Sequence, residues 1–174
     1  MADVLVAHIP AILDANEKDM AQAGDYNLPQ IMYDRLRLTK ERIEQMALGV
    51  RELVDLEDPI GEVMESSTRP NGMEITKVRV PLGVIAMFYE ARPNVTVDAA
   101  ALCMKTGNAV ILRGGKEAFH TNECLVNLLR DALTEVNLPA DAVELVTVTD
   151  RAAVSDLLRQ REYIDVVIPR GGAG

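Results

Sequence analysis

Four short apolar runs most constrain what this chain can become: VIAMFYE (84–90), AVILR (109–113), VELVTV (143–148) and DVVI (165–168). None alternates apolar with polar residues as a half-wetted strand does. Near-continuous Val, Ile and Leu suit strands covered on both faces, as in a parallel sheet with helices on each side. The intervening stretches read as helical near 95–106, 117–136 and 151–160, with Gly107-Asn108 and Pro139 as stops. The pattern predicts a doubly wound α/β unit, Rossmann-like, with right-handed crossovers.

The first 58 residues have a different texture. From Met32 the apolar positions Met32, Leu36, Ile43, Met46, Ala47, Val50, Leu53 and Val54 recur near helical spacing, with Lys40, Glu41, Arg42, Glu44 and Arg51 largely opposite. Thr39 is followed three residues later by Arg42 rather than Glu, so the capping-box pattern is missing and no helix break is placed there. Pro59 and Gly61 end the helical part. In ESSTRPNGMEITKVRV the Asn71-Gly72 pair precedes an alternating run, and Asn-Gly suits the positive φ values of a tight hairpin turn. The predicted ribbon has no visible third strand, although an isolated hairpin is marginal in water. Its unpaired edges make it a candidate surface for a homo-oligomer. The expected divisions are 1–60 (N-terminal helices), 61–82 (ribbon) and 83–174 (α/β domain).

Charge narrows the partners. Against 27 acidic side chains stand 18 basic ones, a net charge of −9. That field repels a phosphate backbone and argues against nucleic acid. Small phosphorylated ligands stay open, because a few amides and an Arg dominate at short range. No apolar run approaches the ~18 residues of a membrane span. The N-terminus has neither a basic n-region nor a small-residue cleavage site. Two cysteines without framework spacing fit a reducing compartment. The expected setting is the cytoplasm.

In an open parallel sheet, ligands bind beyond the carboxyl ends of the strands. Those ends read YEARPNVT, RGGKEAF, TVTDR and PRGGAG, two of them glycine-rich behind an Arg. Glycine lets backbone amides approach a ligand, and a helix start adds partial positive charge, so an anionic ligand is expected there. Neither the G-x-G-x-x-G fingerprint nor a P-loop is present. Arg113 ends the second strand, where a dinucleotide domain reads its ribose, and a basic group there suits the 2′-phosphate of NADP better than the free hydroxyl of NAD. A tight turn with a solvated Arg explains the same residues. Asn94 can cap the helix after the first strand or donate its amide to a developing oxyanion. Cys103 sits in an apolar helix and reads as packing. His120 and Cys124 are four apart on a helix, a pair that spacing alone more often makes by coincidence. With His8 and His120 the only histidines, a metal site is not expected.

The run VRVPLGVIAMFYEARPNVTVDAAALCMKTGNAVILRGGKEAFHTN, followed by DVVIPRGG, resembles the gamma-glutamyl phosphate reductase family of the aldehyde dehydrogenase superfamily. RLRLTKERIEQMA and ESSTRPNG extend the likeness towards the N-terminus. The resemblance implies NADPH-dependent reduction of L-glutamyl 5-phosphate to glutamate 5-semialdehyde with release of phosphate, in proline biosynthesis, through a cysteine thioester. It implies that Arg113, Gly114, Gly115 and Lys116 lie on the adenosine side of the cofactor. Arg170, Gly171 and Gly172 match the turn near the pyrophosphate and nicotinamide, and Asn94 matches the oxyanion asparagine. The family's nucleophile lies downstream of IPRGG, and neither Cys103 nor Cys124 occupies that position. The expectation is therefore an incomplete cofactor-binding domain without its catalytic domain, inactive alone. A free-standing nucleotide-binding or assembly module is the rival reading.

Overall fold

The computed structural model describes residues 1–26, 28–150 and 152–171. Four helices come first: α1 (Ala2–Ala7), α2 (Ile9–Gln22), α3 (Gln30–Leu36) and α4 (Lys40–Asp55). The break between α3 and α4 falls where none was expected. Thr39 is extended (φ −129°, ψ 166°), and its hydroxyl accepts the Arg42 N–H at 3.3 Å. A Thr cap works without the reciprocal Glu, so a missing capping box does not argue against a break. Arg42 closes the junction from the other side. Its guanidinium donates to the Asp34 carbonyl, to the Arg37 carbonyl at 2.7 Å, and to both Asp34 carboxylate oxygens at 3.0 and 3.2 Å. Carbonyls left open at the end of α3 are thereby satisfied.

The ribbon consists of β1 (Val63–Thr68) and β2 (Glu74–Val78), antiparallel, with Ser66 opposite Thr76. Its turn differs from the two-residue form that Asn71-Gly72 suggests. The Arg69 N–H donates to the Met73 carbonyl at 2.8 Å, and the Gly72 N–H to the Arg69 carbonyl at 2.9 Å. Pro70-Asn71-Gly72 therefore form a three-residue loop in which only Gly72 has positive φ (82°). Proline gives the reason. A two-residue turn would need the residue before Asn71 to donate an N–H, and Pro70 has none. Every residue from 61 to 82 is exposed.

The second sheet is formed by β3 (Val84–Tyr89), β4 (Ala109–Arg113), β5 (Val143–Leu145) and β6 (Val166–Arg170), all parallel in the order β5-β4-β3-β6. The connecting helices are α5 (Pro93–Lys105), α6 (Phe119–Glu135) and α7 (Ala152–Arg159). The chain runs outward from β3 to β5, then crosses back to place β6 on the other side of β3, the doubly wound arrangement. Its two faces are unequal. Ile85, Tyr89, Val110, Leu112 and Val143 are buried in one core with α5 and α6. On the opposite face Ala86 is buried, Val84, Phe88 and Ile111 are half-buried, and α7 has no buried residue. The expectation of cover on both faces thus holds fully for one face and in part for the other among the described residues.

The N-terminal helices belong to the same core, since Leu5, Ile12, Ile43 and Ala47 pack with Val95, Val97, Leu125 and Leu129. Two buried polar side chains pin them there. Asn16 donates to the Leu36 carbonyl at 2.9 Å and the Thr121 hydroxyl at 3.1 Å, and accepts the Leu38 N–H at 2.8 Å. Asp19 accepts the His120 and Thr121 N–H groups at 3.0 and 2.8 Å and the Thr121 hydroxyl at 2.6 Å. Helix α6 has no side-chain cap of its own. Asp19, delivered by α2, supplies it, and the helix dipole favours a carboxylate there.

Candidate functional site

The carboxyl edge of the second sheet gathers most of the residues singled out from the sequence. The strand order reverses between β3 and β6, so the crevice beyond their ends is where a ligand is expected. A cleft of 590 Å³ lies there, lined by Glu90 and Phe88 from β3 and its exit, Arg170 and Gly171 from β6 and its exit, Arg113 from β4, and Val154 and Leu158 from α7. A second cleft of 410 Å³ shares Tyr89, Glu90 and Arg113 and extends over Gly115, Lys116 and Thr149.

Arg113 is held rather than solvated. Its Nη2 donates to the Thr149 carbonyl at 3.0 Å, while its Nε is buried with no acceptor. A buried donor without a partner is costly, and it marks a place where an acceptor fits. Lys116 follows in a short 3₁₀ turn (Lys116–Ala118), its Nζ 4.7 Å from the centre of the Tyr26 ring. The glycines divide by role. A Cβ on Gly114 would overlap the Asn122 amide nitrogen and lie 3.1 Å from the Tyr89 ring. Beneath it the Tyr89 hydroxyl meets Thr96 Oγ1 at 2.7 Å, and Thr96 donates to Asn122 Oδ1 at 2.8 Å, all buried. Gly114 is therefore demanded by packing against this relay, and burial raises the Tyr89 phenol above its ordinary range. Gly115 brings the chain close to the Ala91 amide, and Gly171 faces the Glu90 carboxylate at 3.0 Å from its would-be Cβ. Gly172 lies outside the described residues.

Asn94 is not a cap. Helix α5 begins at Pro93, with Arg92 in the capping position. Proline favours the first helical position because its missing N–H would have no partner there. One residue further in, Asn94 donates to Asp98 Oδ2 at 3.3 Å. Burial raises the Asp98 carboxyl, opposed by the Asn94 hydrogen bond and by the charge of Arg170. Asn94, Asp98 and Arg170 thus stand near one another at this edge. A third cleft, of 380 Å³, is lined by Asn94, Asp98, Arg92, Arg35 and Arg42. The sequence reading missed Arg92, Arg35 and Asp98. The signal for Arg92 and Asp98 was present: Arg-Pro-Asn at a strand exit, with an acid one helical turn beyond.

The cysteines take no part in this edge. Cys103 is buried between α5 and the sheet, and burial pushes its thiol up to about 11. Burial raises Cys124 as well, with Lys18 opposing, and its Sγ faces the Ala11 carbonyl at 3.8 Å. His120 stacks edge-on with Phe119 instead of pairing with Cys124. Among the described residues no group of three His, Cys, Asp or Glu could hold a metal ion. Among them too, no helix is long and apolar enough to cross a membrane.

Comparison with known proteins fits this geometry. Two curated relatives named gamma-glutamyl phosphate reductase, from Anoxybacillus flavithermus and Moorella thermoacetica, are 53% and 55% identical over all 174 residues. The chain spans 42% of the length of each. A crystal structure of gamma-glutamyl phosphate reductase from Thermotoga maritima superposes with a TM-score of 0.96 at 42% identity, covering 99% of this chain and 42% of that one. The family model described as "Aldehyde dehydrogenase family" matches residues 6–173, nearly the whole of the helices, ribbon and sheet described above. A doubly wound sheet with an arginine-lined carboxyl edge, matched by that model along almost its full length, places the chain in the aldehyde dehydrogenase family.

Proposed function

We propose that the chain carries the dinucleotide-binding part of an NADP(H)-dependent, cytoplasmic reductase that converts L-glutamyl 5-phosphate to glutamate 5-semialdehyde and phosphate. The observation that carries this reading is the identity above 50% to relatives named gamma-glutamyl phosphate reductase along all 174 residues. The divisions at 1–60, 61–82 and 83–174 correspond in this reading to supporting helices, an arm that reaches a second copy, and the cofactor-binding domain.

The residues at the sheet edge fit a dinucleotide. The orphaned Arg113 Nε and the Lys116 ammonium offer two donors for the adenosine side, and the 2′-phosphate of NADP supplies acceptors that NAD lacks. Arg170 adds charge at the strand end for a pyrophosphate, while the Glu117 and Glu90 side chains that stand beside Gly115 and Gly171 would have to turn aside for it. When bound, the cofactor supplies the hydride. The chain's own part is to orient and polarise. Asn94 Nδ2, held by Asp98 at only 3.3 Å, is free to turn towards the oxygen of the reacting carbonyl and stabilise charge developing there. Neither cysteine is poised as a nucleophile, since both thiols are shifted away from the thiolate and neither lies at the carboxyl edge. The 174 residues alone should therefore show no turnover.

Phosphate-dependent reduction of NADP by L-glutamate 5-semialdehyde in the intact protein tests the reading. Absence of turnover there, with the protein folded, overturns it. Replacing Arg113 by Met should weaken NADPH binding by roughly 10- to 100-fold, as expected for a lost charged hydrogen bond, and leave NADH binding less affected.

A further inference from the structure

We propose that the cleft between α3, α4 and the start of α5 is the subsite for an anionic group of the substrate, held by Arg92 with support from Arg35. The identity of the substrate rests on the reductase reading above, whereas the anion preference of the cleft rests on its own geometry. Three guanidinium groups face two carboxylates around this 380 Å³ space, in a chain whose net charge is −9. Asp34 is taken up by Arg42 through both its oxygens. Asp98 lies in the field of Arg170, which opposes its charge. That leaves Arg35 and Arg92, whose guanidinium groups have no hydrogen-bond or ion-pair partner among the described residues.

Arg92 is the stronger of the two, because it is half-buried while Arg35 is exposed. Partial loss of hydration without a counter-ion is unfavourable, and an oxyanion in the cleft removes that penalty. The backbone leaves Arg92 little freedom. Its N–H donates to the Glu90 carbonyl at 2.7 Å, its carbonyl accepts the Val95 N–H at 3.0 Å, and Pro93 fixes the next φ. A planar guanidinium matches the two oxygens of a carboxylate or a phosphate, and the start of α5 contributes its dipole in the same sense. Asn94 lines the same cleft, so an anion on Arg92 would sit beside the carbonyl that Asn94 polarises. L-Glutamyl 5-phosphate presents two such groups, the phosphate on C5 and the α-carboxylate.

Calorimetric titration of the intact protein with inorganic phosphate and, separately, with L-glutamate tests the proposal and distinguishes the two sources. Arg92→Gln should weaken one of the two by roughly 10- to 100-fold. Arg92→Lys, which keeps the charge and loses the fork, should fall in between, and Arg35→Gln should give the smaller loss. NADPH affinity should not move, because Arg92 and Arg35 line neither of the two clefts assigned to the cofactor. Loss on the phosphate arm assigns the leaving group to Arg92, and loss on the glutamate arm assigns the α-carboxylate. Unchanged affinity for both anions in folded Arg92→Gln protein overturns the subsite, even where turnover of glutamate semialdehyde upholds the reductase. Arg92-dependent anion binding in a protein that never turns over that substrate does the reverse.

Discussion

Helix α6 and the β1–β2 ribbon lie in one chain and live in different environments. Along α6 seven residues are buried, among them Leu125 and Leu129 with no exposed surface. Along residues 61–82 none is buried, although Val63, Met64, Met73, Ile75, Val78 and Val80 are apolar. The contrast separates two uses of hydrophobic residues. In α6 they recur at helical spacing and face one core. In the ribbon they sit on strands with nothing across from either face, so their burial requires a surface that this fold does not itself provide.

Substitutions can break that contrast or sharpen it. The largest effect is expected for Leu129→Ala, which removes a fully buried side chain from the shared core and should cost roughly 2–5 kcal/mol in chemical denaturation. Gly114→Ala should cost about 1–3 kcal/mol, because the added methyl meets Asn122 and the Tyr89 ring from within a packed relay. A smaller, pH-dependent effect belongs to Cys103. Its folded thiol is pushed up to about 11 from the ordinary 9.0, so the unfolded chain ionises first as pH rises. Stability should be fully present below about pH 9 and decline towards about pH 11, and Cys103→Ala should remove that part of the slope. The smallest effect is expected for Ile75→Ala on the ribbon, within about 0.5 kcal/mol for a single copy of the fold. A much larger loss that grows on dilution would show that a second copy covers the ribbon, and light scattering across the same dilution series would check it.

Much of this architecture was legible in the sequence. The β3 and β4 strands fall where their apolar runs placed them, and Gly107 follows the end of α5 where a stop was expected. What could not be read depends on contacts between distant residues. The burial of Arg113 Nε and the use of Asp34 by Arg42 have no local signature. Nor does the reason for Gly114, which lies in Tyr89 and Asn122 rather than in any backbone twist, since its φ is not among the positive ones. Other misses were local and avoidable. Thr39 caps α4 with its hydroxyl alone, Pro93 takes the first helical position ahead of Asn94, and Pro70 rules out a two-residue turn.

The carboxylate of Asp19 also sets a constraint in time. It meets the N–H groups of His120 and Thr121, 101 and 102 positions further along the chain. During synthesis at roughly 5–20 residues per second, α2 leaves the ribosome some 5–20 s before the helix whose end it completes. Until then Asp19 faces water and α6 does not exist. Docking of α2 on α6 is thus a late, non-local event, of the kind that slows folding relative to local helix formation. Nascent chains arrested before residue 119 should hold α2 without its final partner, and protease should cut it there more readily than in the finished fold.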